Sequence, residues 1–322
     1  MRQESWLIIG GAGYVGAHIA DLFLTNNKKV VIADSLVNGS QSRITYLNQR
    51  HDYSIPFFKS DIRDEASMYN LISEIQPTGI ILTAALKSVS ESFDKPDEYM
   101  NVNHISVSHI ISAAVANNVS KIFFSSSAAV YGSPNQVTPL QESDSTNPIS
   151  PYGLSKLKAE KEIQKFLNLP GKNGACFRYF NVVGTAQKEL ADYSGSNLVP
   201  IVLNQIKNKK KTVIYGRDYP TEDGTCIRDY IDVRDIAAAH LISANHDSKL
   251  PSVMNLGSEN GKSVLEVVKQ VYVSHGLEMQ IEFRERRFGD PTQIVSDSRL
   301  IKKELGHTNN FSIEESIESL VE

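Results

Sequence analysis

The stretch Trp6-Leu7-Ile8-Ile9-Gly10-Gly11-Ala12-Gly13-Tyr14-Val15-Gly16 decides the fold. Four apolar residues run into glycines at 10, 13 and 16, and a helix-patterned segment follows over His18 to Thr25. A short buried strand, a tight turn and a helix start in that order make the first half of a βα unit. Glycines there let the backbone pass close to a pyrophosphate, whose charge then faces the amides of a helix N-terminus. Such turns also occur without a ligand, so the reading depends on its surroundings.

The same alternation recurs through the first half of the chain. Strands are predicted at Trp6 to Ile9, Lys29 to Ala33, Ser54 to Lys59, Gly79 to Thr83, Lys121 to Ser125 and Gly174 to Phe177. Helices are predicted at His18 to Thr25, Ala66 to Ile75, His104 to Asn117 and Ser155 to Leu167. Repeated βα units imply an α/β fold with a Rossmann-like, doubly wound parallel sheet. Asp34 closes the second strand, eighteen residues after Gly16. A carboxylate there accepts hydrogen bonds from both ribose hydroxyls of a dinucleotide and repels a 2'-phosphate, which favours NAD over NADP. Asp61 and Ile62, ending the third strand, fit a pair reading an adenine edge, and Asp61 fits a helix N-cap equally well. Thr83-Ala84-Ala85-Leu86-Lys87 ends the fourth strand, and its small residues leave room for the dinucleotide.

Beyond Asn181 the pattern loosens, with a helix at Val199 to Lys207, a strand and helix over Asp229 to Asn245 and a strand at Val253 to Leu256. The last two look like returns to the first domain. The expected division is residues 1–180 plus about 229–257 for cofactor binding, and 181–228 with 258–322 for a smaller α/β substrate domain. The chain has 322 residues, 41% hydrophobic and 22% charged, with net charge −4. That supports a sizeable core and gives no basic footprint for nucleic acid; Lys209, Lys210 and Lys211 form too short a run. Cys176 and Cys226 show no metal-ligand spacing and read as free thiols, so neither a metal nor a disulfide is expected. No apolar stretch reaches membrane-spanning length and no basic leader precedes the first strand, which makes the cytoplasm the expected location.

Tyr152 and Lys156 stand at helical spacing i and i+4 behind Pro151, downstream of Ser125-Ser126-Ser127. At that spacing both project from one helix face, and the lysine's charge favours the phenolate. A tyrosine drawn down from about 10 in this way is a general base.

These motifs resemble the extended short-chain dehydrogenase/reductases, and within them the UDP-glucose 4-epimerases. The resemblance rests on the glycine loop, Ala85-Leu86-Lys87-Ser88-Val89, Ser125-Ser126-Ser127-Ala128-Ala129-Val130-Tyr131-Gly132, Ser150-Pro151-Tyr152-Gly153-Leu154-Ser155-Lys156 and Arg178-Tyr179-Phe180-Asn181. The longest piece is Asp218-Tyr219-Pro220-Thr221-Glu222-Asp223-Gly224-Thr225-Cys226-Ile227-Arg228-Asp229-Tyr230-Ile231. The resemblance implies NAD as cofactor, held by Tyr14, Val15, Ser35, Leu36, Asn38, Gly39, Lys87, Asn103, Ser125, Tyr152, Lys156 and Tyr179 besides the residues already named. It implies that Tyr152, Lys156 and Ser127 are catalytic, and that Lys87, Ser127, Tyr152, Asn181, Asn197, Leu198, Val213, Ile214, Tyr215, Arg228, Arg287 and Asp290 contact a UDP-sugar, so that the smaller domain binds it. UDP-glucose and UDP-galactose are the implied substrates, and a homodimer formed through His104 to Asn117 and Ser155 to Leu167 the implied assembly, for which Ile105, Val107, Ile110 and Ile111 are suitably apolar. An ordinary strand at Val213 to Tyr215 and surface ion pairs for the two arginines are the plain alternatives.

The chain departs from the family pattern at Val182, Ala129 and Ala85, where proline, threonine and glycine are usual. Ile294 stands where some bacterial members carry a bulky tyrosine, which leaves space for an N-acetyl group. A UDP-N-acetylhexosamine or UDP-pentose epimerase is therefore an alternative. Related dehydratases carry Asp and Glu after the active-site hydroxyl residue, whereas this chain has Ala128 and Ala129. A regulator that binds NAD without catalysis would be expected to have lost Tyr152, Lys156 or Ser127.

Overall fold

A computed structural model of the protein describes residues 4–134, 138–192, 194–287 and 289–321. In chain order its strands are β1 (Ser5–Ile9), β2 (Lys29–Asp34), β3 (Phe57–Lys59), β4 (Gly79–Leu82), β5 (Lys121–Ser127), β6 (Asn173–Tyr179), β7 (Asn181–Val183), β8 (Thr212–Tyr215), β9 (Ile227–Asp232), β10 (Val253–Leu256), β11 (Gly261–Ser263), β12 (Ile281–Arg284) and β13 (Gln293–Ile294). The α-helices are α1 (Tyr14–Thr25), α2 (Gln41–His51), α3 (Glu65–Ile75), α4 (Val89–Asp94), α5 (Pro96–Met100), α6 (Ser106–Ala116), α7 (Pro151–Leu167), α8 (Leu198–Lys207), α9 (Val233–Ala244), α10 (Val264–Ser274), α11 (Arg299–Leu305) and α12 (Ile313–Glu318).

Seven strands pair in parallel in the order β10-β6-β5-β4-β1-β2-β3. Side-chain alternation along each strand divides the core in two. Trp6, Ile8, Ile32, Phe123 and Phe177 pack on one face with Ile19 and Phe23 of α1 and Ile236 of α9. Leu7, Ile9, Val31, Ile122 and Phe124 pack on the other with Leu71 of α3, Ile110 of α6 and Ile163 of α7. Strands buried on both faces read as unbroken apolar runs, which is why they were legible. Each fully buried large side chain contributes roughly 1.5–3 kcal/mol. The switch in winding direction lies between β1 and β4, so their carboxyl ends open the crevice where such sheets bind ligands.

The helices differ from expectation at their starts. α1 begins at Tyr14 and α7 at Pro151, the latter capped by Ser150 Oγ, which accepts from Gly153 N at 3.1 Å. The segment expected to start at His104 is preceded by a π turn over Asn101–Ile105, so α6 proper starts at Ser106. α2 has no counterpart among the expected helices because only Arg43, Ile44 and Leu47 of its residues are buried. β3 covers only the end of the expected Ser54 to Lys59 strand.

One expected return to the large sheet does not occur. β9 pairs with β7, β11 and β13, forming a second sheet, whereas α9 after it packs on α1 and β10 joins β6. The buried carboxylate of Asp229 fixes this placement. It accepts from Ser258 N and Oγ at 2.6 and 2.7 Å and from Ser296 N and Oγ at 3.0 and 2.5 Å, tying β9 to the loops after β10 and β13. A charged residue in a strand interior is stable only with such partners. β8 and β12 form a separate parallel pair. Among the described residues no helix is long and apolar enough to cross a membrane.

Candidate active site

At the crevice, the loops after β1 and β4 are in contact. Gly10 adopts φ +91°, and a Cβ on it would lie 2.3 Å from Ala84 N; one on Gly16 would lie 2.3 Å from Gly10 O. Neither backbone atom can yield. Gly16→Ala should therefore cost about 1–3 kcal/mol and lower the melting temperature by several degrees; an unchanged melting curve would refute the close packing.

Gly13 precedes α1 at the cap position with no side-chain cap, and no acidic residue stands in the helix's first turn. Its leading amides are thus free for an anion, as a pyrophosphate requires. Asp34 Oδ2 accepts from Ala12 N at 3.0 Å and Oδ1 from Leu36 N at 2.8 Å. Burial pushes this carboxyl's pKa up while those amide bonds oppose the rise. Leu36 is left-handed at φ +62°, which turns Ser35 to Gly39 around the carboxylate. An uncapped helix start beside a fixed carboxylate is a donor and acceptor set that fits an unphosphorylated adenosine ribose and its diphosphate.

Other expected cofactor residues are held differently. The Tyr14 hydroxyl donates to Gly184 O at 2.5 Å, and Val15 packs against the core. Asp61 binds Arg63, which pulls its pKa down; the cap of α3 is Asp64, so the N-cap alternative for Asp61 is not realised. Ile62 is buried in the core with Leu71 and Ile72. Asn103 spends its amide on both backbone groups of Leu86, each at 2.9 Å, and on Ser155 at 3.1 Å, shaping the Ala84 to Lys87 turn from beneath.

Ser127 ends β5 and Tyr152 and Lys156 lie on α7. Lys156 is buried over the ring of Phe124, its Nζ 4.8 Å from the centroid and donating to Ser125 O at 2.8 Å. Burial pushes its pKa down to about 7. The expected lowering of Tyr152 by this lysine is not what the structure holds. Burial raises the phenol, and the group opposing the rise is the Ser127 hydroxyl. The lysine's own charge is disfavoured by burial, and its ammonium is turned to a strand carbonyl. Glu160, one further turn along α7 and not singled out from the sequence, takes Arg178 in a buried pair at 2.8 and 2.9 Å and Ser126 Oγ at 2.5 Å, and its charge opposes the lowering of Lys156 without outweighing burial. Its signal was the i, i+4 continuation Tyr152, Lys156, Glu160.

On the substrate side, Arg228 and Asp290 are ion-paired, so the arginine has a carboxylate partner from the same expected site. Arg287 lies over the ring of Tyr215 at 4.1 Å. Tyr215 lines a cavity of about 750 Å³ with Arg217, Asp218, Phe283, Arg284 and Glu285. Ile214 instead points into the core with Val199 and Val267, as the plain-strand alternative had it, and Val213 is half-buried beside it. Asn181 is exposed on β7. Asn197, which precedes Leu198 of α8, and Lys87 meet at Asp192, whose Oδ2 accepts from them at 2.6 and 3.2 Å. Asp192 thus ties the β4 loop to the start of α8, and no periodic pattern marked it.

The sequence model of the NAD dependent epimerase/dehydratase family matches residues 6–257. The chain belongs to this family. Among relatives of this family member, UDP-glucose 4-epimerase of Halalkalibacterium halodurans is 35% identical over 98% of this chain and 93% of its own length. Among solved structures, UDP-glucose-4-epimerase from Stenotrophomonas maltophila with bound NAD and formylated UDP-arabinopyranose superimposes with TM-score 0.92 at 31% identity, covering 98% of this chain and 96% of that one. UDP-glucose 4-epimerase from Bifidobacterium longum in complex with NAD+ and UDP gives TM-score 0.89 at 33% identity over the same shares.

Proposed function

We propose that this family member is an NAD-dependent UDP-glucose 4-epimerase interconverting UDP-glucose and UDP-galactose. The observation that carries the reading is Ser127, Tyr152 and Lys156 at the mouth of the cofactor crevice, with only Ala128 and Ala129 following the serine. NAD, held by the Gly10 to Gly16 turn and Asp34, would supply the hydride acceptor and donor for the sugar C4. Tyr152 takes the 4-hydroxyl proton and later returns it, and Ser127 donates a hydrogen bond to the reacting oxygen. The 4-keto sugar turns about its link to the diphosphate before reduction from the other face. No carboxylate stands beside the serine to drive elimination of water. Arg287 offers a guanidinium fork to the diphosphate while the sugar turns, and Arg228, held by Asp290 and Ile227 O, adds its charge. The test is coupled conversion of UDP-galactose to UDP-glucose by the purified protein; inactivity on every UDP-hexose offered would end this reading.

Ile294, the expected opening for an N-acetyl group, is buried with Phe180, Tyr131 and Ala128, so the packing does not favour the wider sugar range. UDP-glucose should be turned over faster than UDP-N-acetylglucosamine by the purified protein; equal rates on the two would restore the wider range.

A homodimer through α6 and α7 also belongs to this proposal. Val107 and Ile110 are core residues, so the contact would rest on exposed Ile105, Val115 and Leu154. A monomeric mass in solution would exclude it.

A further inference from the structure

Behind the catalytic lysine lies a row of polar groups whose outer members, Ser125 and Tyr179, are expected NAD contacts and whose innermost member, His240, has no task in the proposed reaction. Ser125 follows Phe123 with the strand's period of two and so shares the α1 and α9 face of the sheet. Its Oγ is 2.9 Å from Tyr179 Oη, and Tyr179 Oη is 2.5 Å from His240 Nε2. His240 comes from α9 and is fully buried, edge-on to Phe177 at 4.8 Å and to Phe123 at 6.0 Å. Among the described residues Nδ1 has no hydrogen-bond partner.

Burial in these rings pushes His240 down to about 3, so it is neutral and carries one proton. With that proton on Nδ1, a donor would face aromatic rings without an acceptor, an arrangement that is rare in folded proteins. With it on Nε2, only a lone pair is left there, and the direction of the whole row follows. Tyr179 must then receive from His240 and give to Ser125. The serine's own proton has no acceptor in the row, while its main-chain carbonyl is already taken by Lys156 at 2.8 Å.

We propose that His240 is a positioning residue for the cofactor: its Nε2–H donates to Tyr179, Tyr179 donates to Ser125, and the Ser125 hydroxyl is thereby held as a donor for an amide carbonyl of bound NAD. The inference rests on the proposed epimerase reading only for the identity of the cofactor. Reversing the row would turn the serine's proton inward and leave the cofactor an acceptor instead of a donor.

Nitrogen-15 spectra of histidine-labelled, cofactor-free protein should show the His240 ring protonated at Nε2. Calorimetric titration of the stripped protein with NAD should show about tenfold weaker binding for His240→Phe and for Tyr179→Phe, with no further loss in the double variant, as expected when one hydrogen bond is withdrawn. His240→Gln, which can still present an amide donor, should bind within about threefold of wild type. A proton on Nδ1, or wild-type affinity in Tyr179→Phe, overturns the proposal even where His240→Phe fails to fold. Failure of every UDP-sugar assay would remove the epimerase reading and leave both measurements standing.

Discussion

Tyr152→Phe lowers the turnover of UDP-galactose by about 10³-fold while leaving the NAD content and fold of the protein unchanged, since the loss of one positioned proton acceptor removes a contribution of about 10²–10⁴. The expected result is specific because the substitution deletes one oxygen from a ring whose packing survives. That ring lies edge-on to Tyr99 at 6.3 Å, a contact phenylalanine keeps. Ser127→Ala should cost less, because it withdraws a hydrogen bond from the reacting oxygen and leaves the base in place. Steady-state rates together with cofactor absorbance of each variant decide the point. A Tyr152→Phe enzyme at full rate would displace the tyrosine from the reaction altogether.

Lys156→Met has two large effects of opposite kind. It should reduce turnover by about 10²-fold or more, and it should make the cofactor-free protein more stable at acidic pH. Unfolded, the amine keeps its proton up to about 10.5; folded, burial lets it go near 7. Between those values the unfolded chain binds more protons, so wild-type stability climbs as pH rises from about 7 to about 10.5. Below 7 the ammonium is carried in both states, and the folded state bears the whole cost of burying it. Methionine fills the same volume over Phe124 without a charge. We expect a gain of about 2–4 kcal/mol at pH 6 that fades toward pH 10, measured by denaturant unfolding of stripped protein. A variant no more stable than wild type at pH 6 would show that the lysine is not strained there. A gain at pH 6 would instead mark the residue as one kept for activity at the expense of stability.

The comparison of sequence and structure turns on range. β1, the glycine turn and α1 were legible because each depends on neighbours within a few residues, and Asp34 because a βα unit fixes how far along the carboxylate must fall. α2 was missed because its buried side consists of Arg43, Ile44 and Leu47 alone, and Arg43 is buried by long-range bonds to Ala12 O and Ala191 O at 3.2 and 2.5 Å. β9 was expected to return to the first domain and instead pairs with β7, β11 and β13, since an apolar run reports burial and says nothing of which strand lies alongside. Asp192 was invisible for a related reason: its partners Lys87 and Asn197 come from separate segments of the chain.

Tyr152 and Lys156 show the division within one site. Their spacing, their place behind Pro151 and Ser127 upstream of them follow from the sequence by itself, because helical geometry puts i and i+4 side by side wherever the helix sits. Which of the two would be shifted, and in which direction, was decided only by the tertiary structure. Proton affinity depends on the dielectric and on partners contributed by β5, β6, α5 and α6, and burial by those elements raises the phenol and lowers the amine whatever their separation along α7.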